Sequence, residues 1–376
     1  MKDIKSILYI NMISEIGGAE VSLQVLMESL EGTGYRPVVV LGKRGPLLQR
    51  LQGMGIKTYI FPFETCHYKN PLPFIRTIVF LRNIVKKHRI KLIHSNMFWD
   101  NQYGVVSAKL SRIPHVLHVR GFLNSQYTWK SFYCLGTVVI CNSQHTCHQF
   151  IHAGGFKKRV EVVYNGVDVN VFKPDGKKRR AIRRNYGFTD NDFVMGMAGS
   201  IIEEKGQLQL LKSIHSILNE NRNYKVLIAG SNKIGPESDY YERIKGFIRR
   251  NKLEDQVSLL GFVENTPSFY NALDLFLLPS LREPFGRVLI EAMATKIPVV
   301  ASRVGGVPEV VEHGKTGYLV DSKEGDSWRK YINRLADNEA LRNEFGESGR
   351  QRVIEKFTVH HTTSKIVSIY NGLIKC

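Results

Sequence analysis

The sequence predicts two open α/β domains in tandem, each a largely parallel sheet wound by helices. Three observations carry this. The chain has 376 residues, too many for one ordinary domain at roughly 100–200 residues each. Short apolar runs bounded by turns or polar residues recur through both halves, with helix-length amphipathic stretches between several of them. That is the pattern of βαβ units. A densely basic segment, KPDGKKRRAIRRNYGF at 173–188, divides the two series.

In the first half the strands are expected at Ser6–Met12, Pro37–Leu41, Lys57–Phe61, Lys91–His94, His115–Val119, Val138–Cys141 and Val160–Val163, with helices such as Glu20–Leu30 and Phe74–His88 between them. In the second half they are expected at Phe193–Ala198, Lys225–Ala229, Val257–Leu260, Leu275–Leu278, Val299–Ala301 and Tyr318–Val320. Segment 173–188 begins Lys-Pro-Asp-Gly and reads as a turn followed by a solvated helix. The boundary is placed near Asn165–Lys173, giving domains 1–168 and 169–376. Residues after Ser327 read as helices, the last available to pack back on the first domain. Two such domains are expected to face each other across a cleft at the carboxyl ends of their strands, the usual ligand site of open α/β sheets.

Composition narrows the class. At 43% hydrophobic, 10% aromatic and 23% charged residues, the chain is neither disordered, collagen-like nor coiled-coil. No apolar run reaches the ~18 residues of a membrane span. The start MKDIKSILYINM lacks a small-residue cleavage site and reads as a first strand. The five cysteines are therefore expected as reduced thiols, and the protein in the cytoplasm. The net charge is +19, concentrated in the first half: residues 1–165 carry 21 basic and 8 acidic side chains, and residues 166–376 carry 32 and 26. Such a field gathers anions: phosphorylated ligands, nucleic acid or a lipid surface. No helix-turn-helix, zinc-finger or RNA-binding signature accompanies it, so nucleic acid is not an expected partner.

The chemistry concentrates in PSLREPFGRVLIEAMATKIPVVASRVGGVPEVV, residues 279–311. Pro279 ends a strand, Glu283 and Pro284 form a turn, and Phe285–Ala294 has apolar residues at helical spacing. Free N–H groups at Phe285, Gly286 and Arg287 would suit phosphate oxygens. Glu283 lies just before this helix and Glu291 about two turns inside it, so their backbones are roughly 10 Å apart. That spacing suits two carboxylates holding hydroxyls at either end of an extended ligand better than two acting on one bond.

The pattern E-P-F-G-x(4)-E, followed by A-M-A, P-V-V-A and G-G-x-x-E, resembles the retaining glycosyltransferases of family 4, which have the GT-B fold of two Rossmann-like domains. Further segments carry the likeness: Asn165-Gly166-Val167-Asp168 with Phe172, Gly199 through Lys205-Gly206, Gly261-Phe262-Val263 with Phe269-Tyr270, Asp274 and Pro279-Ser280, and Gly17-Gly18-Ala19-Glu20. It spans nearly the whole chain and is most specific over 165–320.

The resemblance implies a transferase that takes a sugar from a nucleotide diphosphate sugar to a glycan, lipid-linked or other surface-polysaccharide acceptor, with anomeric retention. In it Glu283 contacts the transferred sugar, Glu291 the ribose, and Lys205 the diphosphate, while Gly17 and Gly18 admit donor phosphate or acceptor to backbone amides. Ser200, Gly261, Phe262, Val263, Phe285, Gly286 and Arg287 complete the implied donor site. Neither a metal nor another cofactor is expected. Two positions depart from the family pattern. Ser200 stands where an Arg usually follows the first phosphate-loop glycine, with Arg287 or Arg282 as candidate replacements. In IPHVLHVRGF, residue type selects His118 for the family's first-domain histidine, whereas counting from Pro114 selects Arg120, which would face the acceptor.

Two other segments have competing readings. Cys134, Cys141, His145, Cys147, His148 and His152 match no standard zinc spacing and read as a strand followed by a helix capped at Asn142 or Ser143. The segment 71–91, PLPFIRTIVFLRNIVKKHRIK, reads either as a core helix with a cationic end or as a dock on an anionic membrane, the latter placing the protein peripherally on the inner face of the cytoplasmic membrane.

Overall fold

In a computed structural model, residues 4–64, 70–122, 138–154, 159–231, 236–321 and 326–374 are described. The chain forms two compact units, Met1–Gly166 with Val359–Cys376, and Val167–Thr358. Every strand expected from the sequence is present, with ends shifted by at most two residues.

The first unit holds β1 (Lys5–Asn11), β2 (Tyr35–Leu41), β3 (Lys57–Ile60), β4 (Leu92–Ser95), β5 (His115–Val119), β6 (Val138–Cys141) and β7 (Val160–Val162). They form one sheet in the order β3-β2-β1-β4-β5-β6-β7, all parallel. Both faces are covered, so successive side chains of β1 enter different cores. Ile7 and Tyr9 pack with Leu23 and Leu26 of helix Gly18–Ser29 and with Ile366 and Tyr370 of helix Val359–Leu373. Leu8 and Ile10 pack with Ile78, Leu81 and Val85 of helix Leu72–Lys87. The last helix is tied in by polar contacts as well, Tyr9 Oη to Tyr370 Oη at 2.9 Å and Tyr35 Oη to Asn371 Oδ1 at 2.7 Å.

The second unit holds β8 (Phe193–Ala198), β9 (Tyr224–Ala229), β10 (Val257–Gly261), β11 (Leu275–Leu278), β12 (Val299–Ser302) and β13 (Gly317–Val320). Their order is β10-β9-β8-β11-β12-β13, again parallel. β11 and β12 are buried along nearly their whole length, as the runs LFLL and VVA require of strands covered on both faces.

Segment 173–188 differs from expectation. Its helix, Gly176–Asn185, is capped by Asp175 and is not simply solvated. Arg179 Nη2 and Arg183 Nη1 meet the two oxygens of Asp274 at 2.5 and 3.0 Å, and Arg183 is buried. Asp274 also accepts from the amide of Val194 at 2.7 Å. One carboxylate thereby fixes the basic helix to β8, and two of the helix's cations serve packing.

In the cysteine and histidine stretch, Ser143 is the helix cap and accepts from Thr146 N. Cys141 and Cys147 are buried in an apolar cluster, and Cys134 lies outside the described residues. Among the described residues, no three His, Cys, Asp or Glu side chains converge as a metal-binding group, and no helix is long and apolar enough to cross a membrane.

Candidate functional site

In the second sheet the strand order reverses between β8 and β11. Loops leaving the carboxyl ends of two such strands diverge and open a crevice, the usual ligand position in this kind of sheet. The loop after β8 carries Gly199, Ser200 and Lys205, and the loop after β11 carries Pro279 to Gly286. A small hollow between them is lined by Gly199, Lys205, Gln207 and Pro279.

Topology thus brings together residues 78 apart in sequence: Lys205 Nζ lies 2.7 Å from Glu283 Oε2. The Glu283 side chain is 10% exposed and the Lys205 side chain 28%. Ser280 Oγ donates to the same carboxylate oxygen at 3.3 Å. The Glu283 backbone is also held, its carbonyl accepting from Gly306 N at 3.0 Å. Gly305 has a φ of 55°, and a Cβ there would stand 1.9 Å from that carbonyl oxygen. This gives the Gly-Gly pair of the sequence pattern a physical reason, since it lets the Glu283 turn approach the following loop.

After the turn, Gly286 caps helix Arg287–Ala294 with a φ of 92°, a left-handed conformation that favours glycine. Glu291, buried one turn inside, receives a hydrogen bond from Tyr270 Oη to Oε2 at 2.9 Å. Arg287 Nε stands 2.9 Å from its Oε1, an i,i+4 ion pair. Burial and the adjacent Glu291 carboxylate push the Tyr270 phenol well above its ordinary range, so it stays a donor. Phe285 is buried with its ring 5.8 Å from Phe357, so only its backbone is available to a ligand. Phe262 is exposed beside Gly261, whose carbonyl accepts from Gly230 N at 2.8 Å. Ser200 is half-buried, and its carbonyl accepts from Gln207 Nε2 at 2.9 Å. Of the two arginines considered as replacements at Ser200, Arg282 is exposed and 3.8 Å from Glu204, whereas Arg287 is occupied by Glu291.

The first unit carries a second polar cluster at the carboxyl ends of its strands. Arg120 follows β5 and is buried. Its Nε donates to Asn96 Oδ1 at 2.9 Å and its Nη1 to Asn165 Oδ1 at 2.8 Å. Asn142 Nδ2 donates to the Arg120 carbonyl at 3.2 Å, and Asn96 Nδ2 to Asn11 Oδ1 at 2.8 Å. These four asparagines end or follow β1, β4, β6 and β7. Their recurrence just past an apolar run was a signal in the sequence that strand prediction passed over.

His118 occupies a different environment from Arg120. It is 0% exposed, with Nδ1 3.3 Å from His94 Nε2, and His94 Nδ1 lies 2.5 Å from Tyr370 Oη. Burial holds both imidazoles well below the ordinary histidine range. His118 therefore packs within the sheet against His94 of β4, and the residue at the sheet's carboxyl end is Arg120. Gly17 caps helix Gly18–Ser29, but its N–H donates to Glu20 Oε2 at 3.2 Å, so this amide is already satisfied by the chain. Glu20 is buried, and desolvation raises its pKa. Gly18 is exposed, with open space where a Cβ would be.

Two Rossmann-like parallel sheets, the second carrying this lysine–glutamate switch point and a buried helix glutamate, define the GT-B class. The chain belongs to the family-4 glycosyltransferases of the group 1 type: the family "Glycosyl transferases group 1" matches residues 178–352 and "Glycosyltransferase Family 4" matches residues 16–171. Among its relatives is the capsular polysaccharide biosynthesis glycosyltransferase CapM of Staphylococcus aureus, 32% identical over 64% of this chain and 62% of that enzyme's length. The UDP-Gal:α-D-GlcNAc-diphosphoundecaprenol α-1,3-galactosyltransferase of Escherichia coli is 23% identical over 98% of this chain and 97% of that one. The crystal structure of Anabaena HepE in complex with UDP and glucose is 26% identical, with a TM-score of 0.86, covering 98% of this chain and 99% of that one.

Proposed function

We propose that this chain is a retaining, metal-independent glycosyltransferase that moves a hexose from a nucleotide diphosphate sugar, with UDP as the nucleotide, to a glycan or lipid-linked acceptor in surface-polysaccharide assembly, including lipopolysaccharide. The observation that carries this is the Lys205–Glu283 pair at the β8/β11 switch point, with Glu291 on the helix that follows. The likeness to HepE, a structure containing UDP and glucose, supports the choice of nucleotide, and CapM and the galactosyltransferase support the acceptor class.

The residues suggest a division of labour. Glu291 holds the ribose hydroxyls. Lys205 turns from Glu283 to the diphosphate when donor binds, and Glu283 accepts from hydroxyls of the transferred sugar. As the bond from the anomeric carbon to the phosphate oxygen breaks, negative charge grows on the leaving diphosphate. Lys205 and the amides at Gly286 and Arg287 stabilise that charge, which leaves no requirement for a divalent metal. The acceptor hydroxyl attacks from the face the phosphate leaves, and its proton passes to the departing phosphate oxygen. The products are the retained glycoside and a free nucleoside diphosphate. Arg120, held by Asn96 and Asn165, serves the acceptor side.

The experiment is transfer from an α-linked UDP-sugar in the presence of chelator, followed by NMR of the product's anomeric centre. An α product formed with chelator present supports both mechanism and metal independence. A β product contradicts retention, and loss of turnover restored by magnesium contradicts metal independence.

A membrane role is part of this reading. Helix Leu72–Lys87 buries Ile78, Leu81, Ile84 and Val85 but leaves Leu72, Ile75 and Val79 about half or more exposed at helical spacing, beside Arg76, Lys86 and Lys87. An exposed apolar stripe flanked by cations fits the surface of an anionic bilayer, consistent with peripheral attachment on the cytoplasmic side. Co-sedimentation with phosphatidylglycerol vesicles should be strong and fall with salt and with Leu72→Gln/Ile75→Gln. Equal binding to phosphatidylcholine vesicles would refute it.

A further inference from the structure

The Glu291 carboxylate is held from two directions before any ligand arrives. Tyr270 comes from the helix Thr266–Ala272, on a different segment from Glu291, and its hydroxyl donates to Oε2 at 2.9 Å. Arg287 comes from the same helix one turn earlier, and its Nε faces Oε1 at 2.9 Å. Neither partner is loose. Tyr270 is 0% exposed, with Phe172 and Phe276 rings at 6.0 and 5.5 Å. The Arg287 and Glu291 side chains are 10% and 8% exposed.

A surface glutamate samples several rotamers and loses that freedom on gripping a ligand. A carboxylate fixed at both oxygens has already lost it. Each oxygen still has a lone pair for a further donor, because an ionised carboxylate has about four acceptor positions. A vicinal diol presents two donors at the spacing of two carboxylate oxygens.

We infer that Tyr270 and Arg287 are positioning residues that pre-set the Glu291 carboxylate for the 2′- and 3′-hydroxyls of the donor ribose, and so make the enzyme select ribonucleotide over 2′-deoxyribonucleotide donors. This rests on the ribose role given to Glu291 above. Neither side chain touches the reacting atoms. Tyr270 supplies its hydroxyl as a donor, and its raised pKa keeps that hydroxyl protonated throughout the working pH range. Arg287 holds the carboxylate turned toward the ligand side. Removing the Tyr270 hydroxyl or the Arg287 charge frees the carboxylate to rotate, and the deoxy ligand then loses less relative to the ribo ligand.

The test is calorimetric binding of UDP, GDP and ADP, each beside its 2′-deoxy counterpart, to wild type, Tyr270→Phe, Arg287→Gln and Glu291→Ala. Thermal melts check that each variant folds; Tyr270→Phe keeps the buried ring and removes only the hydroxyl. Wild type should bind its preferred ribonucleotide about tenfold or more tightly than the deoxy form, as expected for one well-placed hydrogen bond to a charged group. Tyr270→Phe and Arg287→Gln should each reduce that ratio to about threefold or less. A ratio unchanged in both folded variants overturns the inference, including the case where ribo and deoxy binding weaken equally, which a merely structural role would give. If Glu291→Ala keeps the wild-type ratio, or wild type does not discriminate, the ribose role of Glu291 itself fails. Binding of none of the nucleotides overturns the inference and the donor reading together.

Discussion

Lys205 Nζ and Glu283 Oε2 are 2.7 Å apart, although one residue follows β8 and the other β11. Strand order makes them neighbours, because these two strands adjoin at the point where the sheet changes direction. The ion pair holds both side chains over the carboxyl ends of the strands, where a bound diphosphate would compete for the lysine.

Removing either partner should therefore cost activity more than stability. Lys205→Ala should lower kcat/KM for donor by roughly 10²–10³-fold, the usual scale for a lost donor to a developing oxyanion. Glu283→Ala should lose nearly all transfer while its melting temperature stays within a few degrees of wild type. Steady-state kinetics beside thermal melts check both; near-normal turnover in either variant removes its assigned role.

Gly305→Ala tests the packing beneath Glu283. The added Cβ would fall 1.9 Å from the Glu283 carbonyl oxygen, at a φ of 55°. Strain at such a position costs on the order of 1–3 kcal/mol, and relief requires the Glu283 turn to move. The expected outcome is a lowered melting temperature together with at least about a tenfold fall in kcat. A variant that is destabilised yet fully active would show that the position of the turn does not matter.

Protonation of its buried histidines should weaken the first unit in acid. His94, His115 and His118 are all buried with folded pKa values below their ordinary one, His115 at about 3. For a depressed folded pKa the stability is present above the unfolded value near 6.5 and is lost as pH falls below it. At pH 5 the His115 contribution alone amounts to about 2 kcal/mol of lost stability. Melting temperatures from pH 7.5 to 5 should fall, and His115→Asn should flatten that slope. An equal slope in the variant contradicts the account.

Arg120 and Asn165 should act as a pair on the acceptor side. Asn165→Ala removes the acceptor of an Arg120 Nη1 hydrogen bond, 2.8 Å long in a buried setting, at a cost of about 1–3 kcal/mol. Acceptor KM should rise with donor Kd unchanged in both Asn165→Ala and Arg120→Gln. A matching loss of donor affinity would place the pair on the other substrate.

Much of this was legible in the sequence because the strands are short and apolar, valine-rich as in Val38–Val40 or leucine-rich as in Leu275–Leu278, and are buried on both faces. The Glu283 and Glu291 block was legible because its glycines and glutamates have fixed spacing. Three things were not. The sequence says nothing about which strands adjoin, so the Lys205–Glu283 contact was invisible. Tyr270 lies 21 residues from Glu291 with no periodicity linking them. His118 lies within β5 and Arg120 just past its end, and only their partners, His94 for the one and Asn96 and Asn165 for the other, separate a wall residue from one at the sheet's carboxyl end. The basic helix misled for a related reason: its charge predicts solvent, but Asp274 draws two of its arginines inward.

The most direct test of the donor site is calorimetric titration of UDP-, GDP-, ADP- and dTDP-sugars, with chelator present, into wild type and Glu291→Ala. The account predicts that one nucleotide class, uridine, binds wild type in the chelated buffer and that Glu291→Ala weakens it by about tenfold or more. Binding of none of them to wild type, or undiminished binding to Glu291→Ala, would contradict it.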